Sequence, residues 1–265
     1  MVIKQLLSAL LYTLGAVIGV AALLYPFAFS QAAGSAALAP LLTMALLGVC
    51  LAAIMLEIQG EVANVRVVAA LGVLIAIASA LRFLETAIPG PGGFSPIFAP
   101  IILAGYVFGA RFGFLMGALT LFVSALVTGG VGPWLPYQMF VSAWLGFTAG
   151  WLPHPRSSGW QLSLLGGFGF AWGFLYGAIT NLYFWPFFAG AEGLQWQPGL
   201  SLGEGLAHYA AFYLATSLVW DLTRALGNVV LLVAVGVPAA RALFRFRDRL
   251  QFCVEEARPA YERTG

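Results

Sequence analysis

The 265-residue sequence predicts an all-α integral membrane protein, and its composition carries that expectation. Hydrophobic residues make up 61% of the chain and charged residues only 8%, against about 25% charged in a soluble domain. Mean hydropathy is +0.93. The apolar residues also gather in runs approaching the ~20 residues that a helix needs to cross a bilayer. Eight such runs use most of the chain and leave no room for a separate soluble catalytic domain. The expected architecture is one membrane domain of eight spans in the lipid bilayer, with both termini in the cytoplasm.

The first run, 5–29, begins after Lys4. A basic start and the small residues around 30–32 also resemble a signal peptide, but the run exceeds the ~7–15 residues of a signal core, so a retained helix is expected. The second run is 37–56, and the third, 66–85, opens at Arg66 and ends on Arg82 and Glu85. The turn-forming stretch ProGlyProGlyGlyPheSerPro at 89–96 leads into the fourth run, 96–110, and the fifth follows at 112–129. A second such stretch, GlyGlyValGlyProTrpLeuPro at 129–136, precedes the sixth run, 136–152. Both stretches read equally as stiff lids or as ordinary loop punctuation. The seventh run is 160–188 and the eighth 206–238. Beyond it, 241–252 interleaves Arg241, Arg245 and Arg249 with Leu243, Phe244 and Phe246, the pattern of an amphipathic surface helix. That helix would anchor to anionic lipid or dock a cytoplasmic partner. The chain divides into two leading helices (1–60), a six-helix core (61–240) and a basic tail (241–265).

Orientation follows from the eleven arginines and the single lysine. With the amino terminus in the cytoplasm, Lys4, Arg66, Arg111, Arg156 and the six tail arginines share that side, and only Arg82 lies near an outer loop. This is the asymmetry of the positive-inside rule, and it requires an even number of spans.

Helical rise then gives depth. At ~1.5 Å per residue, Arg82 and Glu85 lie about 24–29 Å from Arg66, and Arg224 and Asp221 about 26–30 Å from Arg241, near the far edge of a ~30 Å hydrocarbon core. Thr180 and Asn181 reach the same level from Trp160, and Tyr137 and Gln138 occupy the first turn of the sixth run. Four helices thus bring polar groups to one layer. Ionisable groups at such depth face a cavity or a partner. Two acids and two arginines together are neutral, which suits a zwitterionic or polar neutral ligand. Alternatively, each pair is an interhelical ion bridge that only fixes packing. The candidate substrate-binding residues are Arg82, Glu85, Phe94, Trp134, Tyr137, Gln138, Asn181, Trp185, Asp221 and Arg224.

Small residues spaced by four let helix backbones approach closely in lipid. Such seams occur at Gly72, Ala76 and Ala80, at Gly113 and Gly117, and at Gly169, Gly173 and Gly177. Most seams serve internal packing; the first is the candidate surface for a separate membrane subunit.

Several chemistries lack their residues. The single lysine opens the first apolar run, so the glycine-rich phosphate loop of an ATPase is missing. With only His154 and His208, and with Cys50 and Cys253 far apart, neither a HEXXH nor a CXXC metal site can be written. Serine nucleophiles on a glycine elbow are missing too, and Glu255 and Glu256 lie in the hydrophilic tail. A net charge of +2 gives no reason to expect a nucleic acid partner. No cofactor is expected, and the chain does not read as an enzyme.

The segment AlaGlyTyrValPheGlyAlaArgPheGlyPheLeuMetGly at 104–117 resembles the short turn and glycine-spaced helix pair of the substrate-binding S components of energy-coupling factor (ECF) transporters. GlyProTrpLeuProTyrGlnMet at 132–139 and TrpAspLeuThrArgAlaLeuGlyAsn at 220–228 are similar to segments of one branch, which includes cobalamin-type members. Many members carry an acidic residue on the helix after the glycine turn, where this chain has Thr120 and Ser124. The resemblance implies a six-helix core over 66–238 that binds a vitamin-like small molecule on the outer face. It also implies partners: a coupling membrane protein and two cytoplasmic ATPases, with Gly72, Ala76 and Ala80 at the coupling contact. Delivery would involve toppling of the subunit in the membrane. Two rivals stand beside it. A self-sufficient secondary transporter would show two similar halves, and no internal repeat is evident. A membrane enzyme or scaffold would need a nucleophile or metal cluster.

Overall fold

The computed structural model describes residues 2–29, 41–42, 44–49, 51–52, 62–88 and 92–256, and every regular element among them is helical. In chain order these are α1 (Val2–Phe29), α2 (Val62–Ala87), α3 (Phe98–Phe108), α4 (Ala110–Thr128), α5 (Leu135–Ala149), α6 (Ser158–Phe184), α7 (Leu202–Thr216), α8 (Leu218–Leu231) and α9 (Val237–Glu256). The described residues of 41–52 are helical as well. A 3₁₀ turn, Trp185–Phe187, ends α6, and a π turn, Leu232–Gly236, joins α8 to α9. Four stretches among the described residues are long and apolar enough to cross a membrane: Arg66–Ala87, Ala110–Thr128, Ser158–Phe187 and Leu218–Arg249. Ala9–Leu24 and Phe98–Phe108 are shorter apolar helices.

The centre of the bundle is α3, α4 and α5. Only Gly109 separates α3 from α4, with φ at 94°, a backbone conformation that side-chain-bearing residues rarely adopt. Along α4, any side chain at Gly113 or Gly117 would strike the α5 backbone at Gly146 and Ser142. Ile101, Ile102, Met116, Met139 and Leu145 fill the space between, all fully buried. The second glycine seam closes α6 on the last span: Gly173 lies on Ala225 and Gly177 on Asp221. Both seams therefore serve internal packing. The first seam differs. Gly72, Ala76 and Ala80 are exposed on α2, and a Cβ at Gly72 would have nothing within 4 Å.

The first helix also finds a place. Tyr12 meets Phe114 edge to face at 5.2 Å, and Gly19 lies against the Phe140 ring, so α1 packs on α4 and α5. The junction at 30–36, residues 89–91 of the first turn-forming stretch, Cys50 and the tail beyond Glu256 lie outside the described residues.

Two expectations need correction. The eighth run, 206–238, is not one helix: it breaks at Ser217 into α7 and α8. The Thr216 hydroxyl donates to the Phe212 carbonyl at 2.8 Å and sits 2.9 Å from the Ser217 hydroxyl, and such side-chain bonds compete with the helical ladder. Conversely, 241–252 is helical as its pattern suggests but is not a helix of its own. It continues the last span through the π turn, and Arg247 Nη1 donates to the Val107 carbonyl at 2.9 Å while Arg241 donates to the Ser158 hydroxyl at 2.5 Å.

Candidate functional site

At the end of the bundle away from these arginines, α2 closes with Arg82 and Glu85, three residues apart and so on one face. Arg82 Nη1 donates to Glu85 Oε1 at 2.9 Å and to Ser95 Oγ at 3.2 Å, and Ser95 Oγ donates to Glu85 Oε2 at 2.6 Å. Ser95 reaches the pair because the turn before it lies along α8. A side chain at Gly93 would strike the Trp220 backbone, and the Phe94 ring rests on Gly227.

A second pair comes from α8. Arg224 Nη1 donates to Asp221 Oδ1 and, at 3.3 Å, to the Gly173 carbonyl of α6. The guanidinium lies 5.2 Å from the Tyr176 ring centroid and 6.0 Å from that of Phe98. Asp221 is buried against Gly177, where even a methyl group would collide with its carboxylate. Its Oδ2 accepts from the Tyr213 hydroxyl at 2.7 Å.

Tyr213 arrives on α7, whose first turn is secured by a capping box. Ser201 Oγ accepts from the Glu204 amide, and the Glu204 carboxylate accepts from the Ser201 amide at 3.0 Å. These bonds from Ser201, its hydroxyl first and then its amide, hold the Glu204 carboxyl below its ordinary range. His208 Nδ1 lies 3.0 Å from the Gln195 carbonyl, tying α7 to the preceding loop.

Between the two pairs is a cavity of about 220 Å³ lined by residues from α2, the 93–97 turn, α3, α4, α5, α6 and α8. Of the residues expected from sequence, Arg82, Glu85, Phe94, Gln138 and Arg224 line it. The other five stand elsewhere. Asp221 is behind Arg224. Tyr137 is fully buried and stacks on Tyr183 at 4.1 Å. Trp134 is exposed and braces its own loop through a 3.0 Å bond from Nε1 to the Gly130 carbonyl. Trp185 is buried against Phe27 and Tyr209, with Nε1 donating to the Leu194 carbonyl at 2.9 Å. Asn181 is partly exposed and outside the lining, and the neighbouring Thr180 hydroxyl turns back to the Tyr176 carbonyl at 2.7 Å. Of the two turn-forming stretches, 89–96 contributes Gly93, Phe94 and Ser95 to the walls, and 129–136 contributes no lining residue.

The sequence reading missed Gly93, Ser95, Ile97, Phe98, Leu121 and Tyr176 among the lining residues. Tyr176 lies one turn from Thr180, between Gly173 and Gly177, so the same depth count reaches it. Ser95 sits inside the ProGlyProGlyGlyPheSerPro stretch beside Phe94. The signal missed for Tyr213 was SerLeuGlyGlu at 201–204, a capping box that starts a separate helix.

A family model described as ECF transporter, substrate-specific component, matches residues 66–236. The chain belongs to that family. The match runs from α2 to the end of the π turn and includes every residue that lines the cavity. As an S component the chain is a multi-pass membrane protein and a substrate-binding transporter subunit rather than an enzyme, and membership implies association with ECF coupling and ATPase components. Comparison with curated proteins and with solved structures finds no match.

Proposed function

We propose that this S component captures a vitamin or related micronutrient on the outer face of the plasma membrane and delivers it inward with a coupling membrane protein and two cytoplasmic ATPases. The observation that carries this reading is the cavity: two ion pairs from helices far apart in sequence flank a space walled by Phe94, Phe98 and Tyr176. Aromatic walls with a few convergent polar groups are the usual form of a small-molecule site. Its volume of about 220 Å³ lies below the ~300–1,000 Å³ of ordinary ligand pockets, which favours a small vitamin or precursor over a cobalamin-sized cargo.

The site residues in this reading are Arg82, Glu85, Ser95, Phe94, Phe98, Gln138, Tyr176 and Arg224, with Asp221 setting the position of Arg224. The exposed stripe of Gly72, Ala76 and Ala80 is the proposed coupling contact. Both termini are proposed to be cytoplasmic with eight spans, since Arg111, Arg156, Arg241 and Arg247 collect at the end opposite the cavity.

The test is direct. Purified chain in nanodiscs is expected to retain a micronutrient from cell extract without ATP, identified by mass spectrometry, while cellular uptake requires the coupling protein and ATPases. Uptake by the chain alone would overturn the subunit reading in favour of a self-sufficient transporter. Large side chains at Ala76 and Ala80 are expected to spare binding and abolish uptake, and normal uptake removes the coupling assignment.

A further inference from the structure

The two ion pairs present themselves to the cavity unequally. Glu85 lines it, but each of its carboxylate oxygens already accepts a bond, from Arg82 and from Ser95. Asp221 does not line it; its carboxylate is divided between Arg224 and Tyr213 on the far side. Both arginines do line it, and each is engaged through Nη1 alone among the described residues. The Nε and Nη2 groups of two guanidiniums are therefore unused, and Gln138, also in the wall, adds an amide with no side-chain bond among the described residues. The four charges remain paired two by two, but one acid faces away from the cavity, so the wall carries a surplus of hydrogen-bond donors.

We infer that the ligand is a small carboxylic acid, bound as its carboxylate by the free guanidinium edges of Arg82 and Arg224 with Gln138, its body lying against Phe98 and Tyr176. This rests on the substrate-capture reading above. A guanidinium fork matches a planar carboxylate in two parallel bonds. Phe98 and Tyr176, in edge contact at 4.7 Å, offer ring faces to a planar or short apolar body.

The test uses the full chain in nanodiscs and matched probes: nicotinate with nicotinamide, pantothenate with pantothenol, biotin and lipoate with their primary amides, and thiamine and pyridoxal phosphate as cationic and phosphorylated controls. At least one acid is expected to bind 100-fold or more tightly than its neutral partner. An acid and its neutral partner binding alike, or tightest binding by thiamine or the phosphate ester, overturns the carboxylate assignment and leaves substrate capture standing. A chain that binds no probe and retains nothing from cell extract overturns both. The double variant Asp221→Asn/Arg224→Gln removes both charges of the buried pair while keeping its hydrogen-bonding shape. It is expected to stay monodisperse and to prefer acid over amide by less than 3-fold. An undiminished preference in that variant also overturns the assignment.

Discussion

The pairs Arg82–Glu85 and Asp221–Arg224 share a spacing of three residues and a position at one end of the bundle, yet they are built for different tasks. In the first, the side chains of Arg82 and Glu85 are 32% and 20% exposed, a loop serine completes the triangle, and the acid shares the cavity wall with the base. In the second, the exposures of Arg224 and Asp221 fall to 15% and 2%, and the acid turns from the cavity into a fixed socket. That socket is made by a glycine on one side and a tyrosine on the other. A paired charge near water needs little support, whereas one removed from water must find a partner for each lone pair. The supports explain the asymmetry: Gly177 is where the carboxylate fits, and Tyr213 takes the oxygen that Arg224 leaves.

Breaking the buried pair is expected to have the largest effect. Asp221→Ala leaves the Arg224 guanidinium without its counter-charge and the Tyr213 hydroxyl without its acceptor. The expected loss is about 3–5 kcal/mol, read as a large fall in melting temperature by scanning fluorimetry in nanodiscs. Asp221→Asn/Arg224→Gln should recover most of that loss. If the single variant melts like the parent, Asp221 is not the anchor that distinguishes the pairs.

Next in size is the socket. Gly177→Ala drives a methyl group into the Asp221 carboxylate and is expected to cost about 1–3 kcal/mol by overpacking. Gly72→Ala, made where nothing stands within 4 Å, should leave the melting temperature unchanged or slightly raised. Equal effects at the two glycines would erase the difference between an internal seam and an outward one.

A smaller effect belongs to the exposed pair. Glu85→Gln keeps an acceptor oxygen for Arg82 and turns the bond to Ser95 round, the amide NH2 donating to Ser95 Oγ, so stability should change by less than about 1 kcal/mol. The cavity wall, however, loses its one acid, and the affinity for the preferred acid probe is expected to rise several-fold in calorimetry. A weaker affinity would move the carboxylate away from the Arg82 edge.

Depth was legible in the chain; rotation about the helix axis was not. A constant rise per residue brings Arg82, Glu85, Asp221 and Arg224 to one level without any knowledge of neighbours. The same count cannot say that Asp221 turns toward α6 while Arg224 turns toward the cavity, because that depends on where α6 offers a glycine. Trp134 and Trp185 failed for a related reason: an amphipathic ring at the interface bonds to whatever carbonyl is near, here one of its own loop. The break at Ser217 had the widest consequence. Were 206–238 one helix, Tyr213 would stand about 12 Å along the axis from Asp221 and could not reach it. The break at Ser217 lets the Tyr213 hydroxyl reach Asp221 and makes the socket possible.

That dependence gives the last and smallest test, since the capping box of α7 acts on the buried pair only through Tyr213. The Glu204 carboxyl sits below its ordinary value of 4.5 because its ionised form accepts from Ser201. A depressed carboxyl contributes stability that is complete above the unfolded value and drains away as pH falls through the folded one. Amide protection in the first turn of α7, measured by hydrogen exchange, is therefore expected to be level from pH 7 down to about 5 and to decline only below the usual carboxylate range. In Ser201→Ala the box is gone, so protection should be lower throughout and that acid decline should vanish. Because Glu204 is exposed at the helix start while Asp221 is buried, the decline should spare the melting of the bundle as a whole. A parallel loss of global stability over that same range in the parent but not in Ser201→Ala would mean that the cap, not the glycine, holds Tyr213 on Asp221. The burial of the second pair would then be a consequence of α7 docking rather than of the α6 seam.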